Sequence, residues 1–441
     1  MTTVLTIAGS DPTGGAGLQA DLKAIEAMGL HGCSVVTCVT SQDTRGVHSV
    51  FPVPVEEIEA QLKAVLGDVR LGAVKTGMLY SGEIVRAVSK ALRGEPVPII
   101  VDPVMAATTG GSLSTEGLVD ELRRSLLPIA TLVTPNRHEA EMLSGIEIGD
   151  DRAAVKAARA IMKSGARSVL VKGGHLGDEE AVDYLVLKGR SVRISSPRDD
   201  RVVHGTGCAL SSFIAARLAI GDGLEDAVRT SKEMTFKSIR GSRRVGRGVL
   251  CANPMAAAVS EARKPEMLAQ IDAAAEALES LLDRRLIPEV GSNIGYCVDG
   301  ALEASDVVAL TGRIVRVGDR AQAVGCARFG ASKHIARIVL AAHAHDGRVR
   351  CAMNVKYSTT AVSACRAARL SVASFDRARE PKGASSMTWG VTEAIRRHGG
   401  VPDVIFDRGG PGKEPMIRIL GRDPRHVIKK LKAMSAKLKR G

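Results

Sequence analysis

Residues 3–29 read TVLTIAGSDPTGGAGLQADLKAIEAMG, and this stretch determines the type of fold. The apolar run TVLTIAG predicts a buried strand, and GAGLQADLKAIEAMG predicts an amphipathic helix that ends at Gly29. A glycine-rich turn joins them, and glycine lets the backbone pass close to a ligand. A strand, a tight turn and a helix in this order are the repeating unit of an α/β fold.

The same alternation continues to about residue 250. Strands are predicted at 32–42, 71–79, 97–105, 131–136 and 167–174, and helices at 55–69, 81–94, 115–130 and 152–165. We therefore predict a mostly parallel sheet flanked by helices in a first domain spanning 1–250. Open sheets of this kind bind ligands at the carboxyl ends of their strands.

A change in composition separates this part from the rest of the chain. Residues 238–254, SIRGSRRVGRGVLCANP, are basic and rich in glycine, and we interpret them as a linker. After them come a strong helix at 265–286, β-like segments at 306–317, 348–358 and 403–410, and helical segments at 331–346 and 387–400. This pattern predicts a second α/β domain spanning 255–441.

The composition limits the class of protein. Of the 441 residues, 45% are hydrophobic and only 2% aromatic, so Ala, Val, Ile and Leu must build the cores. We find no apolar run near 18 residues and no secretory signal pattern at the start, so we expect a cytoplasmic protein without membrane contact. The eight cysteines lack metal-binding spacing, and we expect free thiols in a reducing compartment.

The net charge of +13 points to anionic partners, either nucleic acid or phosphorylated small molecules. The basic tail, residues 425–441, contains no acidic residue. We interpret it as an amphipathic helix rather than a nucleic-acid arm, with one apolar side made of Val427, Ile428, Leu431, Met434 and Leu438. Because aromatic residues for base stacking are scarce, we expect small-molecule substrates and no nucleic acid.

Polar residues follow several of the predicted strands. Asp11 comes after the first strand, and Gln42 offers an amide that can hydrogen-bond the edge of a heterocycle. Asp102 ends another strand, where a carboxylate can orient Mg²⁺ or ATP phosphates. Taken singly, each also fits a tight turn or a solvated loop. Asn136, Glu139 and Lys172 lie in the neighbouring segments TPNRHEAEML and VKGGH.

The stretch HGTGCALSSFIAARLA, residues 204–219, places Gly205, Thr206, Gly207 and Cys208 at the start of an apolar helix. Unpaired N–H groups and the helix dipole make such a start a binding site for phosphate. The same field lowers the pKa of a thiol. From this stretch alone, Cys208 is either a reactive group or a small buried residue.

Together these segments resemble the hydroxymethylpyrimidine and phosphomethylpyrimidine kinase family of the ribokinase-like superfamily. The resemblance covers residues 3–250 and rests on AGSDPTGGAGLQADLK, KTGML, DPVM, TPN-x-x-EA, KGGH and HGTGC. It implies a ribokinase-like fold, ATP as co-substrate, Mg²⁺, and two successive phosphoryl transfers to 4-amino-5-hydroxymethyl-2-methylpyrimidine. It implies substrate binding by Gly9, Asp11, Gln42, Met78 and Val104, phosphate binding by Lys172, Gly205, Thr206 and Gly207, metal binding by Asp102 and Glu139, and catalysis by Cys208.

The sequence departs from this family at Ser41, Asp43 and Thr76, where Ala, Asn and Ile are common. These positions lie near the pyrimidine loop and affect the fine preference for substrate. Pyridoxine or a related vitamin is an alternative substrate, because the pyrimidine and pyridine alcohols are similar, although Gln42 and the KTGML segment favour the pyrimidine.

The second half offers a further anion site. Arg313 begins a basic strand, and Ser332, Lys333 and His334 lie where a loop enters a helix, a place suited to a diphosphate. The segment FDRGGPGKEPMIRI adds three charged residues among glycines, namely Asp407, Arg408 and Lys413.

This half resembles the archaeal-type thiamine-phosphate synthase domain over residues 255–435. The matching segments are IPEVGSNIGYC, GRIV, SKHIARIVL, SFDRAREP, SMTWG and DVIFDRGGPGKEPMIRI. The resemblance implies condensation of the pyrimidine diphosphate with 4-methyl-5-(2-hydroxyethyl)thiazole phosphate, with Arg313 and His334 as the catalytic pair. It leads us to expect Ser332, Lys333, Asp407, Arg408 and Lys413 to bind the diphosphate or the thiazole phosphate.

The leading hypothesis is thus a bifunctional enzyme of thiamine biosynthesis, and we expect a homodimer through the kinase half. The alternative is a kinase whose C-terminal half is a non-catalytic sensor of thiamine phosphate. A sensor that controls transcription would carry a helix-turn-helix, and we find none in the sequence. The presence of both Arg313 and His334 also favours catalysis.

Overall fold

The computed structural model describes residues 2–105, 115–173, 180–381 and 386–438. Two predicted segments, VDPVMAATTGG and VKGGH, end among residues outside this description. Contacts within the chain divide it into two compact units, residues 1–259 and 260–441. No helix among the described residues is long and apolar enough to cross a membrane.

Strands and helices alternate in the first unit, as the sequence predicts. The strands are β1 Thr3–Ser10, β2 His31–Asp43, β3 Gly46–Pro52, β4 Leu71–Thr76, β5 Ile99–Val101, β6 Leu132–Val133, β7 Val169–Gly173, β8 Glu180–Leu187, β9 Arg190–Pro197, β10 Val203–His204 and β11 Leu250–Cys251. The helices are α1 Gly17–Ala27, α2 Val55–Asp68, α3 Gly82–Leu92, α4 Leu118–Glu121, α5 Arg137–Ser144, α6 Asp151–Met162, α7 Thr206–Ala219 and α8 Leu224–Arg240.

Nine described strands form one sheet in the order β3-β2-β1-β4-β5-β6-β7-β8-β9. Its central pairs, from β2 to β7, are parallel. The outer pairs β2–β3, β7–β8 and β8–β9 are antiparallel, and the strands β3, β8 and β9 were not predicted. Since the parallel strands run in one direction, their carboxyl ends, and the polar residues that follow them, meet at one edge.

Apolar side chains on both faces of this sheet are buried. Leu5 and Ile7 of β1 pack with α2 and α3 residues in one cluster, and Val4 packs with residues of α7 in another. Alternate residues of a strand point to opposite faces, so a strand covered by helices on both sides must be apolar throughout. This explains why TVLTIAG carries no alternation of apolar and polar residues.

The basic segment 238–254 is not a linker. The Gly248 N–H donates to Thr44 Oγ1 at 2.9 Å, and the Val249 N–H donates to the Thr44 carbonyl at 2.9 Å. β11 then pairs with β10 in parallel. Glycine is abundant here because the chain passes close to other backbone: a Cβ on Gly248 would lie 1.9 Å from the Thr44 carbonyl oxygen.

The second unit has a smaller sheet. Helix α9 Ala256–Leu281 begins at the end of the first unit and lies mostly in the second. The other elements are β12 Ile294–Cys297, β13 Val307–Leu310, β14 Ile314–Val317, β15 Arg320–Ala323, β16 Ala327–Phe329, α10 Lys333–His345, β17 Cys351–Lys356, α11 Thr359–Ala367, β18 Val372–Ser374, α12 Ser386–His398, β19 Val404–Asp407, β20 Met416–Gly421 and α13 Pro424–Ser435. Seven described strands pair in the order β16-β13-β12-β17-β20-β19-β18. All of these pairs are antiparallel except β18–β19.

The C-terminal segment forms the predicted amphipathic helix α13. Val427, Leu431 and Met434 are fully buried in the core of the second unit, and Ile428 and Leu438 pack against that core. This arrangement confirms the apolar side that the sequence predicts. All eight cysteines of the chain are free thiols, also as predicted.

Candidate active sites

Asp11 organises the loop between β1 and α1. Its Oδ1 accepts a hydrogen bond from the Thr13 N–H at 2.8 Å, its Oδ2 accepts one from the Ala16 N–H at 2.8 Å, and His204 Nε2 lies 3.2 Å from Oδ2. Burial opposes ionisation of Asp11, but hydrogen bonds from His204, Gln42 and Thr13 outweigh it and lower the pKa of the carboxyl to about 2. Asp11 is therefore ionised at neutral pH, and its hydrogen bond with Gln42 holds that side chain against the loop.

The predicted apolar substrate residues lie together beside the carboxyl end of β1. Met78 Sδ is 3.6 Å from Cys38 Sγ, and Val104 packs against these two side chains. A Cβ on Gly9 would come within 2.6 Å of Cys38 Sγ and 3.3 Å of Met78 Sδ. Glycine at this position therefore lets the sulfur atoms of Cys38 and Met78 lie against the backbone of β1, which any side chain would prevent. Cys38 was not predicted, and its sequence neighbourhood gave no signal of this contact.

The start of α7 has the geometry of an anion cradle. Gly205 precedes the helix with a φ of 85°, and no side chain in the described part of the chain caps it. The first N–H groups of the helix are thus available to an anion. Lys172 lies alongside, since a Cβ on Gly207 would be 3.2 Å from Lys172 Nζ. Thr206 is the first residue of the helix, so the four predicted phosphate-binding residues come together.

A charged cluster stands beside this cradle. Lys172 Nζ is 2.9 Å from Asp102 Oδ1, and Thr134 Oγ1 donates to the same oxygen at 3.2 Å. Burial opposes the charge on Asp102, but Lys172 and Lys75 outweigh it and lower its pKa. Burial likewise opposes the charge on Lys172, and the neighbouring carboxylates outweigh it and raise the pKa of its ammonium group. Both groups are charged at neutral pH.

Glu139 is the second carboxylate of this cluster. It closes a capping box at the start of α5, with Glu139 Oε2 accepting from the Asn136 N–H at 2.7 Å and Asn136 Oδ1 accepting from the Glu139 N–H at 2.9 Å. Burial raises the pKa of Glu139 to about 7; the charge of Asp102 raises it too, and that of Lys172 opposes both. Glu139 is therefore harder to ionise than an ordinary glutamate.

The donor atoms here fit Mg²⁺. Asp102 and Glu139 supply carboxylate oxygens, which Mg²⁺ prefers, and no cluster of three or more His, Cys, Asp or Glu in the described residues offers a complete protein cage. Mg²⁺ in phosphotransferases keeps water and phosphate ligands beside one or two carboxylates. The role of Asp102 and Glu139 as metal ligands stays a prediction.

Cys208 lies in the first turn of α7, and its Sγ accepts a hydrogen bond from the Gly17 N–H at the start of α1. The expected lowering of its pKa is wrong for the free protein. Burial raises the pKa of the Cys208 thiol to about 12, and the carboxylates of Asp21 and Asp102 raise it further against the opposing charge of Lys75. Loss of water around the sulfur therefore outweighs the field of the helix start, and the thiol is neutral at pH 7.

In the second unit, His334 is the second residue of α10, and Arg313 precedes β14 and donates a hydrogen bond to the Val290 carbonyl. His334 is exposed, although nearby protein atoms displace part of the water around its ring. Loss of water around the ring and the charges of four arginines lower the pKa of His334 to about 4; these are Arg418, Arg377, Arg313 and Arg337. The imidazole is therefore neutral at pH 7 in a strongly positive surrounding.

Asp407 holds two of these arginines. Arg377 Nε lies 2.6 Å from Asp407 Oδ1, and Arg418 Nη2 lies 2.7 Å from Asp407 Oδ2. The ring of Phe375 packs beneath both guanidinium groups, at 5.9 Å and 5.2 Å. Direct binding of a phosphate by Asp407 stays a prediction, and this geometry favours a different role. Its two oxygens are engaged by guanidinium groups and would repel an anion, so Asp407 positions the arginines.

The other predicted anion ligands of this unit are spread over several loops. Ser332 caps α10, with its Oγ accepting from the Ile335 N–H at 3.4 Å, and Lys333 is exposed beside it. Lys413 Nζ lies 3.2 Å from Glu380 Oε2, and Arg408 is exposed. Their roles stay predictions.

Sequence reasoning missed Arg377 and Arg418 of the second unit and Lys75 of the first. A signal for two of them was present. Arg418 interrupts the apolar strand MIRIL and Lys75 ends the apolar part of LGAVKT, and a charge inside a buried strand requires a partner. Both side chains are fully buried.

Comparison with known proteins agrees with both halves of this description. The sequence model of the phosphomethylpyrimidine kinase family matches residues 11–253, and that of the thiamine-phosphate synthase ThiN family matches residues 270–433. The bifunctional thiamine biosynthesis protein ThiDN of Methanocaldococcus jannaschii is 34% identical over 433 residues, which cover 98% of both chains. The chain belongs to this family of bifunctional thiamine biosynthesis proteins. Its first unit is called the kinase unit below and its second the synthase unit.

Further relatives match the kinase unit alone. The hydroxymethylpyrimidine/phosphomethylpyrimidine kinase of Escherichia coli is 40% identical over 231 residues, or 52% of this chain and 87% of that protein. The ADP complex of Bacillus subtilis pyridoxal kinase is similar in structure, with a TM-score of 0.55 and 32% identity over 59% of this chain and 99% of that one. These likenesses confirm the predicted ribokinase-like α/β fold of the kinase unit.

Proposed function

We propose that the kinase unit transfers a phosphoryl group from ATP to 4-amino-5-hydroxymethyl-2-methylpyrimidine and then a second one to its monophosphate. What supports this is the meeting of an apolar cluster with an anion cradle at one edge of the sheet. Gly9, Met78 and Val104 face the ring, and Gln42 offers its amide to the ring edge. The hydroxymethyl group then points to the start of α7.

The residues of the kinase unit have different proposed roles, which follow from their charges. Lys172 and the N–H groups of Gly205, Thr206 and Gly207 hold the transferring phosphoryl group, where charge builds up in the transition state. Asp102 and Glu139 hold Mg²⁺, which, when bound, neutralises phosphate charge. Cys208 receives the proton of the substrate hydroxyl group, once its thiol has ionised.

We propose that the synthase unit joins the pyrimidine diphosphate to 4-methyl-5-(2-hydroxyethyl)thiazole phosphate. The observation that carries this proposal is the surrounding of His334 by Arg313, Arg337, Arg377 and Arg418. Such a charge stabilises diphosphate as it leaves the pyrimidine methylene carbon, which becomes electron-poor. A neutral His334 in this place can donate one hydrogen bond to the departing oxygen without adding a further positive charge.

One reaction mixture tests both proposals. The full-length protein is incubated with the hydroxymethylpyrimidine, ATP, Mg²⁺ and the thiazole phosphate, and products are separated by chromatography. We expect two ADP and one thiamine phosphate for each pyrimidine consumed. Accumulation of the pyrimidine diphosphate without thiamine phosphate would mean that the second unit is a sensor. Preferential phosphorylation of pyridoxal in a competition assay would reject the pyrimidine as the substrate.

We further propose that two copies associate through the kinase unit. What supports this is an apolar pair on the outer hairpin of its sheet: Val39 of β2 and Phe51 of β3 face each other and are 48% and 66% exposed. Sedimentation velocity is expected to give twice the chain mass of 46.3 kDa, and Phe51→Asp to give the monomer. A wild-type protein that sediments as a monomer at micromolar concentration would contradict this assembly.

A further inference from the structure

The kinase unit contains a buried ion pair that the proposed reaction does not use. Lys75 Nζ lies 2.7 Å from Asp21 Oδ2, and both side chains are completely inaccessible to solvent. A buried pair of this kind is weak evidence for a role in stability, because the desolvation of two charges offsets much of their attraction. Its position therefore calls for another explanation.

Four elements fix the pair. Lys75 lies on β4 directly beside Thr6 of β1, and the Thr6 hydroxyl donates to Asp21 Oδ2 at 2.7 Å. Asp21 belongs to α1, and its other oxygen accepts from Ser212 Oγ of α7 at 2.9 Å. Asp21 thus has three donors, and its carboxylate holds the ammonium group of Lys75 in one place.

The same two helices hold Cys208. Its Sγ accepts from the Gly17 N–H, and Gly17 lies one helical turn before Asp21 on α1. Cys208 itself lies one turn before Ser212 on α7. Residues four apart share one face of a helix, so on both α1 and α7 the group that holds the thiol and the group that holds the ion pair lie side by side, one turn apart. Of the charges acting on the thiol, that of Lys75 favours its ionised form most.

We propose that Lys75, held by Asp21, is a positioning residue of the kinase unit whose fixed positive charge stabilises negative charge on Cys208 Sγ. This inference rests on the proposed role of Cys208 as proton acceptor. In that step the substrate oxygen bonds to the γ-phosphorus of ATP, the bond from that phosphorus to the leaving ADP oxygen breaks, and the hydroxyl proton passes to the thiolate. Sγ is negative before the transfer and neutral after it, so a nearby cation favours the reactive form.

Alkylation of Cys208 tests the proposal without any kinase assay. The native protein is treated with iodoacetamide at pH 9, and the labelled Cys208 peptide is followed by mass spectrometry over time. Thiolate is the reacting species, so loss of the neighbouring cation should slow the labelling. For Lys75→Met we expect the Cys208 rate to fall about tenfold or more, since one unit of thiol pKa is tenfold in thiolate. The exposed Cys326 serves as internal reference and should react at an unchanged rate.

Two further variants separate charge from structure. Lys75→Arg keeps the charge and should restore much of the labelling rate. The double variant Asp21→Asn with Lys75→Met avoids an unpaired buried charge and also removes the carboxylate that opposes the thiolate, so its Cys208 labelling rate should lie between those of Lys75→Met and the wild type. Asp183→Asn with Lys232→Met is the matched control: that pair, at 2.6 Å, is also buried in the kinase unit but bonded to α8, and labelling of Cys208 should stay normal.

The outcomes distinguish this proposal from the one on which it rests. Unchanged labelling of Cys208 in a folded Lys75→Met protein, or an equal slowing in the control pair, would overturn the role of Lys75. Full kinase activity in Cys208→Ala would instead remove the proton-acceptor role of Cys208 and leave the labelling result as it stands.

Discussion

Gly205→Ala is expected to abolish most kinase activity, whereas Gly221→Ala, at the other end of the same helix, should have little effect. Both glycines have positive φ angles, 85° and 98°, so alanine pays a similar conformational penalty of about 1–2 kcal/mol at each. The difference lies in the space around them. A Cβ on Gly205 would be 1.7 Å from the Gly15 carbonyl oxygen, whereas a Cβ on Gly221 would meet nothing within 4 Å.

The clash at Gly205 is with backbone, which cannot rotate away as a side chain can. The loop before α1 must shift, and with it the Gly17 N–H that contacts Cys208 and the N–H groups of the cradle. Removing a single donor of an oxyanion site costs about 10²–10³ in rate, and here several move together. We expect kcat/KM for the pyrimidine to fall at least about 100-fold.

The measurement is ADP release by full-length variants, with thermal unfolding beside it. Gly221→Ala should retain wild-type kcat/KM and lose only the stability expected of its φ angle. Thiamine phosphate formation from added pyrimidine diphosphate should survive in Gly205→Ala, because the synthase unit has its own hydrophobic core. Equal activities of the two alanine variants would show that the approach of Gly205 to Gly15 has no part in phosphate binding.

The central part of the kinase sheet is predictable because its signals are long and local. Buried parallel strands give apolar runs and the helices between them give a 3.6-residue period. As a result, β4 and β7 fall within predicted strands, and β1 extends one residue beyond its prediction. The outer hairpins lack such signals. β3 is GVHSVFP, none of whose residues is fully buried, and it pairs only because the edge of β2 is available. No pattern in the sequence of β3 itself indicates that the edge of β2 is free to pair.

The chemical roles of the site residues are likewise only partly predictable from the sequence. The sequence places Cys208 at a helix start, and from this the field of the helix is predictable. It does not give the depth of burial, which here decides the ionisation of the thiol. Asp407 is a similar case: the motif marks it as functional, but only the fold brings Arg377 and Arg418 to its two oxygens. The roles of these residues depend on tertiary contacts, which no short stretch of the sequence specifies.

His334→Ala is expected to stop the second reaction and leave the first intact. The imidazole lies among four arginines, where the proposed diphosphate leaves, and loss of a donor from such a site lowers the rate about 10²–10³-fold. Arg313→Met should have an effect of similar size. The kinase unit holds none of these residues, so ADP release should be unchanged and the pyrimidine diphosphate should accumulate.

The matched control is His398→Ala, which removes an exposed histidine at the end of α12 in the same unit. It should make thiamine phosphate at the wild-type rate. The pH profile supplies a second test. Since the pKa of His334 is about 4, its ring is neutral from pH 8 down to about pH 5 and gains a proton only below that. The condensation rate should therefore show no fall with a midpoint near pH 6.5, the ordinary pKa of a histidine. Such a fall in the wild type, absent from His334→Ala, would mean that the arginines do not lie around His334 in the working enzyme.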